Sequence, residues 1–299
     1  MIKKTLTVAR RFNTYQRERF PIIILSISLL PAILSSAVVV STHPTILGGV
    51  TALLASVAYL LHIRVIDEHR DFEHDNLHHA NRPVQINTIS KHELQMVDMV
   101  AVFLLIAITV MAGMRAVIVM AIMLLYSYFA GKEFFVGEKI RRHFFVYNGV
   151  NLVQMLLMQI FVYSIFLDSF QFSLIVGIHF LFTTVGTIVI EFIRKLKVPG
   201  DDGTGKDTYT WYFGFNKSLI IYSVFVLLNA VLFFWLSTLI SSHVTGMLVL
   251  SLCLLGYAYF GVILHRTKKT HRTSQIMQLS FLSMYGILNI AIYFLITNQ

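Results

Sequence analysis

At 299 residues, with 56% hydrophobic and 13% charged residues and a mean hydropathy of +0.71, the chain lies far outside the composition of a water-soluble domain. It matches a protein that crosses a bilayer several times. The net charge of +9 does not indicate nucleic acid, because the basic residues sit between long apolar runs, where lipid headgroups and topology account for them.

Cys253, the single cysteine, lies in an apolar run and leaves no room for a disulfide framework or a cysteine zinc site. Lys3, Lys4, Arg10, Arg11, Arg17 and Arg19 precede the first apolar run. That basic segment is long for the n-region of a cleaved signal and suits a retained first span. Runs near the roughly 20 residues a spanning helix needs cover Phe20 to Val40, Leu47 to Ile66, Val97 to Gly113, Ala116 to Ala130 and Val146 to Leu167. Four more follow, at Phe172 to Phe192, Ser218 to Leu239, Gly246 to Leu264 and Ile276 to Ile296. An all-α polytopic fold of nine transmembrane helices is predicted, as one domain over residues 1–299.

Charge placement tests that count independently of hydropathy. With the N-terminus in the cytoplasm, the inside segments hold every Lys and Arg except Arg115 and every Asp and Glu except Asp168. A different number of spans would move a charged cluster to the other side. The odd count puts the C-terminus outside, and the membrane expected is a bacterial inner membrane.

Three polar clusters fall on the inner face, after the second, fourth and sixth spans. The first holds Asp67, Asp71 and Asp75, spaced by four residues. A helical turn takes 3.6 residues, so these carboxylates drift only about 40° per step and form an acidic stripe. Anions at that density beside a membrane need cations. Hard carboxylate ligands favour Mg²⁺, which binds through one or two carboxylates together with a substrate's phosphates. A diphosphate site is the expectation. Arg70, Arg82, Lys132, Arg194 and Lys195 read singly as positive-inside charges, and as a set they suit phosphate oxygens. Tyr128 stands one turn before Lys132 at the end of the fourth span, and Glu191 lies near the end of the sixth. The loops 67–96 and 194–212 are expected to form a cytosolic cap, with the second long enough to act as a lid.

Other chemistries fit less of the chain. His74, His78 and His79 have the spacing of one histidine box of the membrane di-iron desaturases, but the further boxes that such enzymes need are missing. The CDP-alcohol phosphotransferases require an Asp-x-x-Asp-Gly motif that neither the Asp67 nor the Asp201 region reproduces. A transporter using the acids as a cation path is disfavoured, because the acids lie at one membrane end with none at the midplane.

With these residues in hand, the chain resembles the UbiA-type intramembrane prenyltransferases over nearly its whole length. The family carries Asn (or Asp)-x-x-x-Asp-x-x-x-Asp after its second helix, matched by Asp67, Asp71 and Asp75. Its Arg-Pro-x-x-x-Gly-x-Ile-Ser is matched from Arg82 to Ser90, with Asn87 where Gly is usual. Tyr-x-x-x-Lys is matched by Tyr128 and Lys132, and Gly-Asp-x-x-x-Gly-x-x-Thr by Gly200, Asp201, Gly205 and Thr208. The family's partner aspartate four residues before Asp201 is Lys197 here. Either Glu191, Asp202 or Asp207 substitutes as a ligand, or Lys195 and Lys197 neutralise the diphosphate directly.

The resemblance implies Mg²⁺, an isoprenyl diphosphate, and a small lipophilic acceptor, usually aromatic. Asp71, Asp75 and Lys132 would then be catalytic, with Asp67 and Asp201 as further ligands. Ionisation of the allylic carbon–oxygen bond would yield a carbocation shielded from water. A terpene cyclase on the same scaffold, in which the substrate's own double bonds capture the cation, is the alternative.

Overall fold

A computed structural model describes residues 2–137, 139, 143–167, 173–201 and 206–298, with the backbone alone over 2–6. Among the described residues the fold is all-helical. The helices are α1 (Ile2–Arg19), α2 (Ile22–Val40), α3 (Ile46–Arg70), α4 (Phe72–His78), α5 (Lys91–Ala112) and α6 (Met114–Gly131). After a short 3₁₀ turn at Glu133–Phe135 come α7 (Phe144–Phe166), α8 (Leu174–Arg194), α9 (Tyr209–Phe213), α10 (Phe215–Ile240), α11 (Val244–Lys268) and α12 (His271–Thr297). Nine of the described helices are long and apolar enough to cross a membrane, and each falls on one of the nine runs read from the sequence. The narrow third-to-fourth connection is real: Gly113, at φ +102°, ends α5 and begins α6 by itself. A side chain there would be strained, which is why the reversal falls on glycine.

The chain divides into two compact units. The first comprises Met1–Leu30 and Thr45–Ile165, the second Pro31–Pro44 and Phe166–Gln299. Pro31, which has no N–H to continue the helical ladder, lies inside α2 where the chain passes from one unit to the other.

In the first unit, α3 packs on α5 and α6. Ala52, Ala55 and Ser56 present small buried side chains along α3, so neighbouring backbones approach closely, as packing in lipid favours. Tyr59 beside them is fully buried, and its hydroxyl meets Ser127 Oγ of α6 at 3.0 Å. The basic α1 is tied to α3 by Glu68. That carboxylate is 1% exposed and accepts from Arg64 at 2.6 Å, Arg19 at 3.1 Å and the Tyr15 hydroxyl at 3.3 Å. Two guanidiniums around one buried acid satisfy the rule that interior charge must be paired.

In the second unit, α8 packs on α10, and α11 on α12. Gly186 of α8 lies so close to Tyr285 of α12 that a Cβ would stand 2.3 Å from the ring. A buried polar chain runs through this unit: His179 Nε2 meets Ser35 Oγ at 2.9 Å, and Ser35 meets Asn289 Oδ1 at 2.6 Å. Such groups must find partners among themselves in hydrocarbon. Large apolar side chains such as Ile46, Phe103 and Met111 remain exposed on the helices, as expected for surfaces facing lipid.

Candidate functional site

The acidic stripe sits where α3 passes into α4. Asp67 occupies the last turn of α3, Asp71 the joint, and Asp75 lies in α4. The joint barely interrupts the helical ladder, because Asp71 N–H donates to the Asp67 carbonyl (2.9 Å), Asp75 N–H to Asp71 (2.8 Å) and His79 N–H to Asp75 (2.8 Å). The four-residue register predicted for one helix therefore survives the break. Arg70 lies within the stripe. Its side chain is 3% exposed, donates to Asp67 Oδ1 at 2.6 Å and to Asp71 Oδ1 at 3.2 Å, and touches the hydroxyl of Tyr147 from α7. Asp75 is buried and pairs with Arg82, which is half-buried in the loop beyond α4.

Three carboxylates thus face two guanidiniums. Asp67 and Asp71 remain 21% and 28% exposed, and each carboxylate oxygen accepts more than one bond. An oxygen-only donor set, partly exposed at Asp67 and Asp71, fits a hard divalent cation such as Mg²⁺.

The loop from Arg82 to Ser90 owes its motif to local structure. Thr88 N–H donates to the Pro83 carbonyl at 2.8 Å and Asn87 N–H to Val84 at 3.2 Å, closing a turn with Asn87 at φ +59°. Asn tolerates that left-handed conformation better than other residues with a Cβ, which explains its standing in for Gly. Val84 and Ile89 bury in the core of the first unit. Ser90 caps α5 in a reciprocal box with Glu93: the Ser90 hydroxyl accepts from Glu93 N–H, and Glu93 accepts from Ser90 N–H. Ser-x-x-Glu is the local spacing that such a box requires.

At the end of α6, Tyr128 is exposed and Lys132 follows one turn on, its N–H donating to the Tyr128 carbonyl at 3.1 Å. Both line a cavity of about 540 Å³ between α3, α5 and α6, together with His62, His69, Arg70 and Asp98. Lys132 makes no ion pair among the described residues. Its ammonium is available to an anion in that cavity.

In the second unit, Glu191 forms ion pairs with Arg194 at 2.7 Å and with Lys195 at 3.1 Å. Tyr209 stacks on Phe192, with ring centroids 4.0 Å apart, and its N–H donates to the Lys195 carbonyl. Burial, reinforced by the Glu191 carboxylate, pushes the Tyr209 phenol up to about 12, so it stays protonated at neutral pH. Gly200 turns the chain at φ +97°, and the exposed Asp201 meets His271 at 3.1 Å. Lys197 is exposed. Thr208 caps the short α9 by accepting from Trp211 N–H, which accounts for a threonine at the end of that motif. Asp202 and Gly205 lie outside the described residues.

No family model matches the sequence, and no curated protein matches it. Solved structures do. A digeranylgeranylglyceryl phosphate synthase aligns over 97% of this chain and 100% of its own, at 17% identity and a TM-score of 0.61. A UbiA homologue from Aeropyrum pernix K1 aligns over 90% and 98%, at 12% identity and a TM-score of 0.67. A UbiA homologue from Archaeoglobus fulgidus, solved with GPP and Mg²⁺ bound, aligns over 93% and 99%, at 13% identity and a TM-score of 0.54. The fold is that of these UbiA homologues.

Two features of this UbiA-like chain escape its motifs. Tyr147 donates its hydroxyl to both oxygens of Asp71, yet in the sequence it is one tyrosine among 13. The His62–Asp98 pair, at 2.8 Å, joins two spans that read as apolar runs, and the one signal was the presence of ionisable residues inside them.

Proposed function

We propose that this chain is an integral-membrane prenyltransferase, which moves a prenyl group from an isoprenyl diphosphate to a small lipophilic acceptor, aromatic in character, by Mg²⁺-assisted ionisation. The observation that carries the reading is the in-register set of carboxylates, partly exposed at Asp67 and Asp71, beside a cavity lined by Lys132, which makes no ion pair among the described residues. The likeness in fold to a protein solved with GPP and Mg²⁺ supports it.

Asp67, Asp71 and Asp75 would hold the metal, and Asp201 and Glu191 are the candidate ligands offered by the second motif region. When bound, the metal draws negative charge onto the leaving diphosphate. Arg70 and Tyr147 fix the orientation of the Asp71 carboxylate, and Arg82 that of Asp75. Lys132 and Tyr128 take diphosphate oxygens from the cavity side, and Arg194 and Lys195 offer further cations. In this reading the residues 67–96 and 194–212 cap one domain at the cytoplasmic face, an orientation that rests on the charge asymmetry of the loops.

The test is diphosphate release from geranyl, farnesyl and geranylgeranyl diphosphates by purified protein in lipid, with and without Mg²⁺ and a pool of phenolic acceptors. Mg²⁺-dependent release that requires an acceptor is the expected result. Release without acceptor, accompanied by a cyclic hydrocarbon or alcohol, would replace transfer with cyclisation on the same fold, and no release from any of the three would overturn the proposal.

A further inference from the structure

The cavity beside Lys132 contains a second chemical device. His62, on α3, directs Nδ1 at Asp98 Oδ1 of α5, 2.8 Å away, and both side chains line the cavity with Gln95, Ser127 and Tyr128. A carboxylate accepts only, so Nδ1 carries the hydrogen, and in the neutral imidazole Nε2 keeps its lone pair. His62 makes no other hydrogen bond among the described residues. The neutral imidazole is therefore oriented, with Nε2 as its accepting nitrogen.

A simple tether between helices would not need this pair. α3 and α5 already pack through Leu61, Val65 and Ala101, and ionisable groups within a span are expensive unless they are used. Both side chains also keep partial exposure, 15% and 17%, on a cavity of the size that holds small ligands. A carboxylate that orients an imidazole, leaving the other nitrogen open to a cavity, is the geometry of a general base.

Building on the prenyl-transfer reading, we propose that His62 and Asp98 form the site that binds the acceptor, a small phenol, through its hydroxyl and takes up its proton. In that step the O–H proton passes to His62 Nε2. The phenol's electron pair forms the new bond to the prenyl carbon, and the carbon–oxygen bond to diphosphate breaks with its pair leaving on the diphosphate. If the new bond is to a ring carbon, the ring proton is released afterwards and restores the hydroxyl. The imidazolium left on His62 is stabilised by Asp98 until it returns its proton to water. His62 is catalytic in this scheme, and Asp98 is a positioning residue.

The experiment uses the full chain in lipid nanodiscs, with ¹⁵N-labelled histidine and hydroquinone as the phenol probe. The His62 signals, assigned by their loss in His62→Gln, should report hydrogen on Nδ1, and hydroquinone should move the Nε2 signal. Asp98→Asn should abolish the tautomer preference and Asp98→Glu should retain it. In turnover, His62→Gln should lower hydroquinone-dependent diphosphate release from geranyl diphosphate by about 10²-fold or more, with Kd for geranyl diphosphate and Mg²⁺ unchanged. A His62 signal unmoved by hydroquinone, or wild-type turnover in His62→Gln, would overturn the inference. So would a parallel loss of geranyl diphosphate binding, which marks a tether only. Wild-type chain that releases diphosphate but does not bind hydroquinone defeats this inference alone, whereas no release from any prenyl diphosphate defeats the parent reading as well.

Discussion

The Tyr147 hydroxyl lies 2.9 and 2.8 Å from the two carboxylate oxygens of Asp71, while the Arg70 guanidinium stands 4.6 Å from the centroid of its ring. One phenol thus holds both the acid and the cation next to it. A hydrogen bond to a charged group contributes about 1.5–3 kcal/mol, so Tyr147→Phe should raise the Mg²⁺ concentration needed for half-maximal activity by about tenfold or more. Titration of diphosphate release with Mg²⁺ checks it, and an unchanged midpoint would remove Tyr147 from the site.

Asp71 and Asp75 should respond differently to truncation. Asp71→Ala should abolish diphosphate release while the protein still folds, because Arg70 keeps Asp67 as a partner. Asp75 is buried against Arg82. Its removal leaves a half-buried guanidinium without its partner and should destabilise the fold by about 1–3 kcal/mol as well. Comparing melting temperature and turnover for both variants separates the two effects.

Lys132→Ala should raise KM for the prenyl diphosphate or lower kcat, by about tenfold if the ammonium contributes one charge-assisted contact. No change in either constant would place Lys132 outside the site.

At Asn87 the backbone, not the chemistry, is at issue. Asn87→Gly should alter stability by less than about 1 kcal/mol, whereas Asn87→Val, forced into the same left-handed conformation, should lose about 1–2 kcal/mol. Equal melting temperatures for the two variants would mean that the turn is not held as described.

Glu68→Ala should destabilise the first unit by about 3–5 kcal/mol, because it strands Arg64 and Arg19 around a vacated buried site. Faster proteolysis of α1 with a lowered melting temperature is the expected signature, and a protease-resistant α1 would show that Glu68 is not its anchor.

Span number, helix ends and the stripe were legible in the chain because each depends on local quantities. Insertion into lipid is decided by the summed hydropathy of about 20 consecutive residues, and the register of Asp67, Asp71 and Asp75 by the pitch of one helix. The turn at Asn87 and the cap at Ser90 likewise depend on neighbours within a few residues.

What tertiary structure alone decided is who neutralises whom. Arg70 read as a candidate ligand for phosphate, yet it is buried between Asp67 and Asp71, and the partner completing that cluster, Tyr147, is 76 residues from Asp71. Glu68, beside the stripe in sequence, turns instead to Arg64 of its own helix and to Arg19 and Tyr15 of α1. The His62–Asp98 pair joins two spans 36 residues apart. Helices that are apolar nearly all round carry no periodicity to say which face meets which neighbour. Those faces are chosen when the helices pack, by the fit of small residues and by the need of each buried polar group for a partner.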